Sequence, residues 1–402
     1  MQKTSRASAV DGFKKRRHYC NDFGTPHMHT EEISLQEKGT QMEERLENAR
    51  RVFDEFFELR KGEKVLFLTD ADPESTDRAL IDLFKQELER RGCNFRELVA
   101  GEETTTEEIA AMLPEYPVIW SSVNWDNTSI DFYALVKKLE ETKSRMADSA
   151  GIEADALDAG GALTERRETL ERRMARMEER LREAAGFHIR TSYGTDLEMT
   201  LMPGERKWFA DTGVIEPGHW DNIPGGEIFT TPDEGKVEGV LVLPVLQDEV
   251  SREQGVDEYV RLTLSHGKIV RIDGGESAAK LRWYLEEKAK AEDDPLSVFQ
   301  CSEVAFGANE FARMKVRNVG GSHNERGVSV LEAEKRLGTM HVAFGSSKHG
   351  EEGTEGHTES DVHIDFVIPR RGLTVTAFYS RGDFRKRRNG QRLINDGSWN
   401  FF

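Results

Sequence analysis

The chain has 402 residues, of which 37% are hydrophobic, and this length is enough for two domains that each bury a core. Its 74 acidic residues outnumber its 56 basic residues and give a net charge of -18, so we expect neither nucleic acid nor a membrane as a partner. Three cysteines, Cys20, Cys93 and Cys301, form no CxxC pair and leave an odd one over, which favours a reducing compartment, the cytoplasm.

The first half of the chain has the pattern of an α/β domain. Residues 1–42 contain hardly any periodic apolar residue and predict a flexible N-terminal extension. From residue 43 a helical pattern leads into the apolar run VLFLTD, then a second helix and the apolar run PVIWSSV. Strands that alternate with helices predict an open parallel α/β domain over residues 43–186. A long amphipathic helix predicted over residues 163–186 ends this domain, and its Leu and Met stripe predicts core packing.

Residues 187–402 have a different pattern, with short alternating strands joined by Gly turns and interrupted by one predicted helix. This pattern predicts a C-terminal α+β domain with mixed and antiparallel sheets. The expected fold class is therefore α/β, with an N-terminal open parallel domain and a C-terminal domain that carries the metal-binding residues considered next.

The stretch SDVHIDFVI, residues 360–368, alternates apolar and polar side chains. Because strand side chains alternate between faces, His363 and Asp365 share one face while Val362, Ile364 and Phe366 share the other. The tips of the two polar side chains can converge on one ion. A surface ion pair on a polar strand face is the alternative that this stretch alone leaves open.

Three further residues extend this possible ligand set. His341 stands opposite an apolar row in GTMHVAFG, and Glu303 is the lone charge in the apolar run FQCSEVAFGAN. Glu227 follows two glycines at the start of a predicted strand. A buried carboxylate requires a cation, a proton or an arginine beside it. Together with His363 and Asp365 these residues offer oxygen and nitrogen ligands without a thiolate, which suits a divalent transition metal: Mn, Zn, Co or Fe.

Four strings resemble, in the same order along the chain, the M29 metallopeptidases, the thermophilic aminopeptidase family. The strings are YGTDLEMTL, NIPGGEIFTTPDEGKVEGVLV, EKRLGTMHVAFG and SDVHIDFVI. The resemblance covers roughly residues 45–380 and implies two divalent ions in a cleft between an α/β domain and a metal-binding domain. The positions that match the family's metal ligands are Glu227, Glu303, His341, His363 and Asp365.

One position departs from the family. Where its aminopeptidases carry a tyrosine ligand, this chain has Lys348, and a protonated lysine has no lone pair, so we expect a single tightly bound ion. The surrounding loop contains His349 and His357, which we interpret as flexible loop histidines, with substrate contact as the alternative. Drifted relatives within this resemblance use a single ion, namely 5-nitroanthranilate aminohydrolase and 2,5-dihydroxypyridine dioxygenase.

We therefore expect a metal-dependent hydrolase that cleaves a C–N bond of a small amine or amide, either aminopeptidase-like or an aromatic aminohydrolase. One divalent ion on Glu303, His363 and Asp365 would activate a water molecule for attack. The other expected catalytic residues are Glu227 as general base, His341 and Lys348. Glu227 and His341 could instead hold a second ion.

Two alternatives remain open: a mononuclear Fe(II) ring-cleaving dioxygenase of the dihydroxypyridine type, and a non-catalytic oligomeric protein. The dioxygenase is less favoured because that relative has a histidine where this chain has Glu303. One histidine with two carboxylates is also not the usual oxygen-activating triad. The expected partners are a small-molecule substrate and further copies of the chain in a homo-oligomer.

Overall fold

The computed structural model describes residues 35–244, 259–318, 326–328, 330–349 and 353–402. The α-helices in these ranges are α1 (Leu35–Glu55), α2 (Arg78–Arg91), α3 (Thr106–Met112), α4 (Phe132–Thr142), α5 (Arg167–Leu181), α6 (Glu276–Ala289), α7 (Val330–Lys335) and α8 (Arg381–Lys386). The strands of the first half and its continuation are β1 (Val65–Thr69), β2 (Phe95–Val99), β3 (Val118–Ser122), β4 (Arg145–Asp148), β5 (Gly186–Arg190), β6 (Asp196–Thr200), β7 (Phe209–Asp211), β8 (Trp220–Asn222), β9 (Glu227–Thr230) and β10 (Val237–Leu243). The remaining strands are β11 (Val260–Ser265), β12 (Lys268–Asp273), β13 (Cys301–Gly307), β14 (Val316–Asn318), β15 (Arg326–Val328), β16 (Met340–Gly345), β17 (His363–Ile368), β18 (Thr374–Phe378), β19 (Gln391–Asn395) and β20 (Ser398–Trp399).

A parallel sheet with the strand order β2-β1-β3-β4-β8 forms the first part of the fold. Its central strands β1 and β3 are buried along their whole length because helices cover both faces of the sheet. Phe67 and Trp120 pack against α1 and α2 on one face, whereas Leu66 and Ile119 pack against α3 and α4 on the other. The two apolar runs identified in the sequence therefore lie side by side.

Two antiparallel sheets form the second part. One has eight strands in the order β12-β11-β10-β6-β5-β18-β19-β20, and the other has five in the order β17-β16-β13-β9-β7. Their apolar faces share one hydrophobic cluster, in which Phe187 of β5 meets Phe306 of β13 edge to face at 5.5 Å between ring centroids. Met174 and Met177 of α5 join this cluster, so the predicted core packing is confirmed. The expected fold class, a parallel α/β part followed by an α+β part, is also confirmed.

Several element boundaries differ from those expected. α1 begins at Leu35, earlier than the predicted start near residue 43, and residues 1–34 of the predicted extension lie outside the described residues. α5 begins at Arg167 because a short 3-10 turn precedes it. β8 follows residue 186 yet joins the parallel sheet beside β4, and the division into domains at that residue stays a prediction. No helix in the described part of the chain is long and apolar enough to cross a membrane.

Candidate metal centre

Adjacent strands of the five-stranded sheet present polar side chains on the face that points away from the core. Ala343 of β16 lies opposite Glu303 of β13 on one side and opposite Asp365 of β17 on the other. His341 is two residues from Ala343 and therefore points to the same face, whereas Val342 points into the core. The small side chain of Ala343 leaves space in which the three polar groups approach one another.

Three carboxylates surround the Nε2 atom of His341. Glu303 Oε1 lies 3.0 Å from this nitrogen, Glu227 Oε2 lies 3.4 Å from it, and Asp365 Oδ1 lies 3.6 Å from it. Burial alone lowers the pKa of His341, but the carboxylates of Glu227 and Glu303 outweigh burial and raise that pKa to about 10. The three carboxylates therefore strongly favour a positive charge at the position of His341 Nε2.

His363 extends the cluster from the edge strand β17. Its Nδ1 atom is 2.9 Å from the carbonyl oxygen of Ser346, so in the neutral ring Nδ1 carries the proton and Nε2 keeps its lone pair. That Nε2 atom lies 3.7 Å from Glu303 Oε2 and 3.6 Å from Asp365 Oδ1. Because 32% of the His363 side chain is exposed, small molecules can reach this side of the cluster.

The spacing of these atoms fits a bound transition-metal ion. Metal–ligand bonds of about 2.0–2.2 Å place neighbouring ligand atoms roughly 3–3.5 Å apart. Glu303, His341 and Asp365 each offer a ligand atom within 4.8 Å of the other two. Asp365 Oδ1 is buried and makes no hydrogen bond among the described residues, as expected for an oxygen atom that binds a cation. The residues therefore fit a divalent transition metal.

A buried lysine that the sequence analysis missed lies beside this cluster. The side chain of Lys335, at the end of α7, is 0% exposed, and its Nζ atom is 2.6 Å from Glu227 Oε1 and 2.7 Å from Asp211 Oδ2. Glu334 Oε1 lies 3.0 Å from the same nitrogen. Burial alone would lower the pKa of Lys335, but the carboxylates raise it well above its usual value. Burial also raises the pKa of Glu334 to about 8.

His349 faces the cluster from the loop that follows β16, which favours the alternative of substrate contact over that of a solvent-exposed loop residue. Its Nε2 atom lies 3.8 Å from Glu303 Oε2 and makes no hydrogen bond among the described residues. Its ring packs on Phe229 at 4.9 Å and on Phe209 at 5.3 Å, measured between ring centroids. His357 is exposed, as expected for a loop histidine.

Lys348 is held by its own loop. Its Nζ atom lies 3.3 Å from the carbonyl oxygen of Gly356, 3.6 Å from Glu355 Oε1 and 3.9 Å from Glu359 Oε1. The lysine that touches the metal-binding cluster is Lys335, through Glu227. The catalytic role expected of Lys348 stays a prediction.

Comparison with known proteins identifies the family. The model of the family NicX, 2,5-dihydroxypyridine 5,6-dioxygenase, matches residues 162–376, which is more than half of the chain. The chain belongs to this dioxygenase family. Membership of the dioxygenase family confirms that the protein is an enzyme. It also overturns the expected C–N hydrolase, both as an aminopeptidase and as an aminohydrolase.

Individual relatives of the dioxygenase family agree with this assignment. The 2,5-dihydroxypyridine 5,6-dioxygenase of Pseudomonas putida KT2440 is 29% identical over 205 residues, which are 51% of this chain and 54% of that protein. The chain thus spans about half the length of the curated relative that it matches. The solved structure of 2,5-dihydroxypyridine dioxygenase from Pseudomonas putida KT2440 has a TM-score of 0.59 and 16% identity, covering 92% of this chain and 99% of that one.

A second solved structure, AmpT from Thermus thermophilus, has a TM-score of 0.55 and 16% identity, and covers 89% of this chain and 99% of that one. Identity at this level shows a shared fold alone. The M29 resemblance is therefore not confirmed as the family of this chain. The hydrolase expectation rested on a single histidine, His363, on the catalytic ion, whereas Nε2 of His341 lies as close to Asp365 Oδ1 as Nε2 of His363 does.

Proposed function

We propose that the protein is a mononuclear iron(II)-dependent dioxygenase that opens the ring of a hydroxylated aromatic nitrogen heterocycle. The main support is the position of Asp365 Oδ1, which lies 3.6 Å from Nε2 of His341 and 3.6 Å from Nε2 of His363. Two histidines and one carboxylate form the ligand set of non-haem iron(II) oxygenases. The similarity to a dioxygenase that acts on 2,5-dihydroxypyridine supports the same class of reaction and substrate.

The proposed ligands are His341, His363 and Asp365, and the carboxylate of Glu303 lies beside both imidazoles. A bound iron(II) ion would supply the one-electron chemistry that lets dioxygen react with an aromatic ring. The hydrogen bond from His363 Nδ1 to the carbonyl of Ser346 would hold the imidazole in the orientation that a ligand requires.

An aromatic wall beside the ligands supports a planar substrate. Phe209 and Phe229 are stacked at 5.1 Å with an angle of 15° between their planes, and His349 packs across both rings. Both phenylalanines are partly exposed, so one more flat ring could stack in the same arrangement. The Nε2 atom of His349, which makes no hydrogen bond to the residues that the structure describes, would then contact a hydroxyl or nitrogen of that ring.

Glu227 is the proposed acceptor for the proton of a ring hydroxyl. Its Oε1 atom accepts a hydrogen bond from Lys335 at 2.6 Å, which fixes the orientation of the carboxylate. Its Oε2 atom makes no hydrogen bond among the described residues and lies 3.4 Å from His341 Nε2, on the side of the metal ligands. Glu227 thus keeps the general-base role expected from the sequence, but it accepts a proton from the substrate rather than from a water molecule.

The proposal is tested by loading the protein with iron(II) without oxygen and then adding 2,5-dihydroxypyridine in an oxygen-electrode cell. We expect one molecule of oxygen to be consumed for each ring lost, and both atoms of labelled dioxygen to appear in the product. The same protein under nitrogen, and the His363→Ala variant in air, serve as controls that should not open the ring. Ring loss without oxygen uptake would contradict the reaction, and inertness toward a panel of hydroxypyridines would contradict the substrate class.

A further inference from the structure

The ammonium group of Lys335 lies at the centre of a second group of cation ligands. Its Nζ atom contacts Asp211 of β7 at 2.7 Å, Glu227 of β9 at 2.6 Å and Glu334 of α7 at 3.0 Å. The lysine side chain is 0% exposed, so these carboxylates rather than water surround its charge. Several oxygen atoms from separate elements around one buried positive charge also describe the surroundings of a bound metal ion.

Glu227 connects this group to the proposed iron ligands. Its Oε1 atom accepts the hydrogen bond from Lys335, while its Oε2 atom lies 3.4 Å from His341 Nε2. One carboxylate therefore bridges two positions of positive charge, which is the arrangement of a site with two metal ions. Glu227, Glu334 and His341 each offer a ligand atom within 4.8 Å of the other two. Without the lysine side chain, these residues and Asp211 would offer ligand atoms to a second metal ion.

We propose that Lys335 is an internal cation that takes the place of a second divalent ion and so limits this centre to one metal ion. A divalent ion among Asp211, Glu227 and Glu334 would have to occupy the position of the ammonium or lie beside it and be repelled. The single ion that the sequence predicts from Lys348 is thus attributed to a different lysine. This inference rests on the proposed function, which already has one metal ion on the proposed ligands, and it adds the residue that excludes a second ion.

The test counts the metal ions in the wild-type protein and in the Lys335→Met variant. Methionine is similar in length to lysine and lacks the charge, so it releases the three carboxylates with little change in volume. Each protein is stripped of metal, loaded with excess Mn²⁺, separated by gel filtration and measured by elemental analysis. We expect one ion in the wild type and two in Lys335→Met. The electron paramagnetic resonance spectrum of the variant should show exchange coupling between the two Mn²⁺ ions, because Glu227 would bridge them.

Lys315→Met provides a matched control. Lys315 Nζ also contacts three carboxylates, those of Glu153, Asp155 and Glu332, but this cluster does not include the iron ligands. Its removal should leave the count at one ion.

Two ions in the wild type, or a single ion in folded Lys335→Met, would overturn the inference. If Lys335→Met is unfolded without metal, refolding in Mn²⁺ with two bound ions supports the inference, and failure to refold in Mn²⁺ contradicts it. If the ion counts are as expected but the wild-type protein does not cleave the ring, the proposed reaction alone is contradicted.

Discussion

Nε2 of His341 lies 3.0 Å from Oε1 of Glu303, and this contact links the neighbouring strands β16 and β13 in the middle of the five-stranded sheet. Both side chains are buried, so water cannot compensate their charges. The carboxylates of Glu303, Asp365 and Glu227 concentrate negative charge around His341 on one sheet face. A metal ion held there would therefore affect the stability of the sheet as well as the chemistry.

Removal of the metal should lower the melting temperature of the wild-type protein. A ligand that binds only the folded state stabilises it by about 4 kcal/mol when its free concentration is about 1,000 times its dissociation constant. Differential scanning fluorimetry before and after chelation, and again after addition of iron(II) or Mn²⁺, measures this effect. The His363→Ala variant should show a much smaller difference. Equal melting temperatures for the metal-free and loaded wild type would contradict a tightly bound ion.

His363→Ala should abolish metal binding while leaving the melting temperature of the metal-free protein nearly unchanged. The side chain is 32% exposed and lies on the polar face of β17, so it contributes little to core packing. Phe366→Ala is the matched control on the same strand, because Phe366 is 1% exposed in the hydrophobic core. It should lose about 3–5 kcal/mol of unfolding free energy and still bind metal when folded. Titration calorimetry and urea unfolding of both variants separate the two effects, and a His363→Ala protein that retains its metal would contradict the ligand assignment.

His349→Ala should lower kcat/KM for ring cleavage roughly 10- to 100-fold, the range expected from loss of one hydrogen bond to a charged or polar substrate group. Metal content should be unchanged, because the proposed role of His349 is contact with the substrate ring. His357→Ala changes the other histidine of the same loop and should have no effect on either quantity, since that residue is exposed. If His349→Ala loses the metal instead, His349 is a ligand and the role assigned to it here is incorrect.

Asp148 should make the stability of the protein depend on pH. Burial raises the pKa of its carboxyl group from 3.8 to about 6, although Trp125 Nε1 donates a hydrogen bond to Oδ2 at 2.8 Å. Since the folded protein holds the proton more tightly than the unfolded chain, the stability that protonated Asp148 contributes is present below pH 3.8 and is lost as the pH rises through about 6.

The Asp148→Asn variant lacks this titration. The unfolding free energy of the wild type relative to Asp148→Asn should therefore fall between about pH 4 and pH 6, by on the order of 1–3 kcal/mol, and be constant above that range. Urea denaturation of both proteins at several pH values measures the difference, in which titrations common to both proteins cancel. A difference that is independent of pH would show that the carboxyl group is not perturbed.

The sequence predicts those parts of the site that depend on local alternation. Glu303, His341 and Asp365 each lie on a strand whose apolar face is buried, so the period of two is enough to place their side chains on the opposite face. The parallel sheet is predictable for a similar reason, because VLFLT and VIWSS are buried on both faces and read as continuous apolar runs.

Other features depend on contacts that no local pattern contains. Lys335 and Glu227 are 108 residues apart in the sequence. Two adjacent charged residues such as Glu334 and Lys335 indicate an exposed position unless their distant partners are known. Residues 334–335 stand directly within the string EKRLGTMHVAFG, and this position was the one available signal that the lysine is special. His349 is similar, since its place in a polar loop indicates exposure until Phe209 and Phe229 are seen beneath its ring.

Strand β8 has a consequence for how this architecture can be altered by recombination. It pairs with β4 in the parallel sheet, and β9, which begins at Glu227, follows it within a few residues. A chimaera that joins two relatives near residue 186 would combine the β4 of one parent with the β8 of the other. The new pair would have to match in register and packing before Glu227 could reach its place beside the metal ligands. A chimaera between relatives should therefore take β4 and β8 from the same parent, because the two halves of the chain are not independent modules.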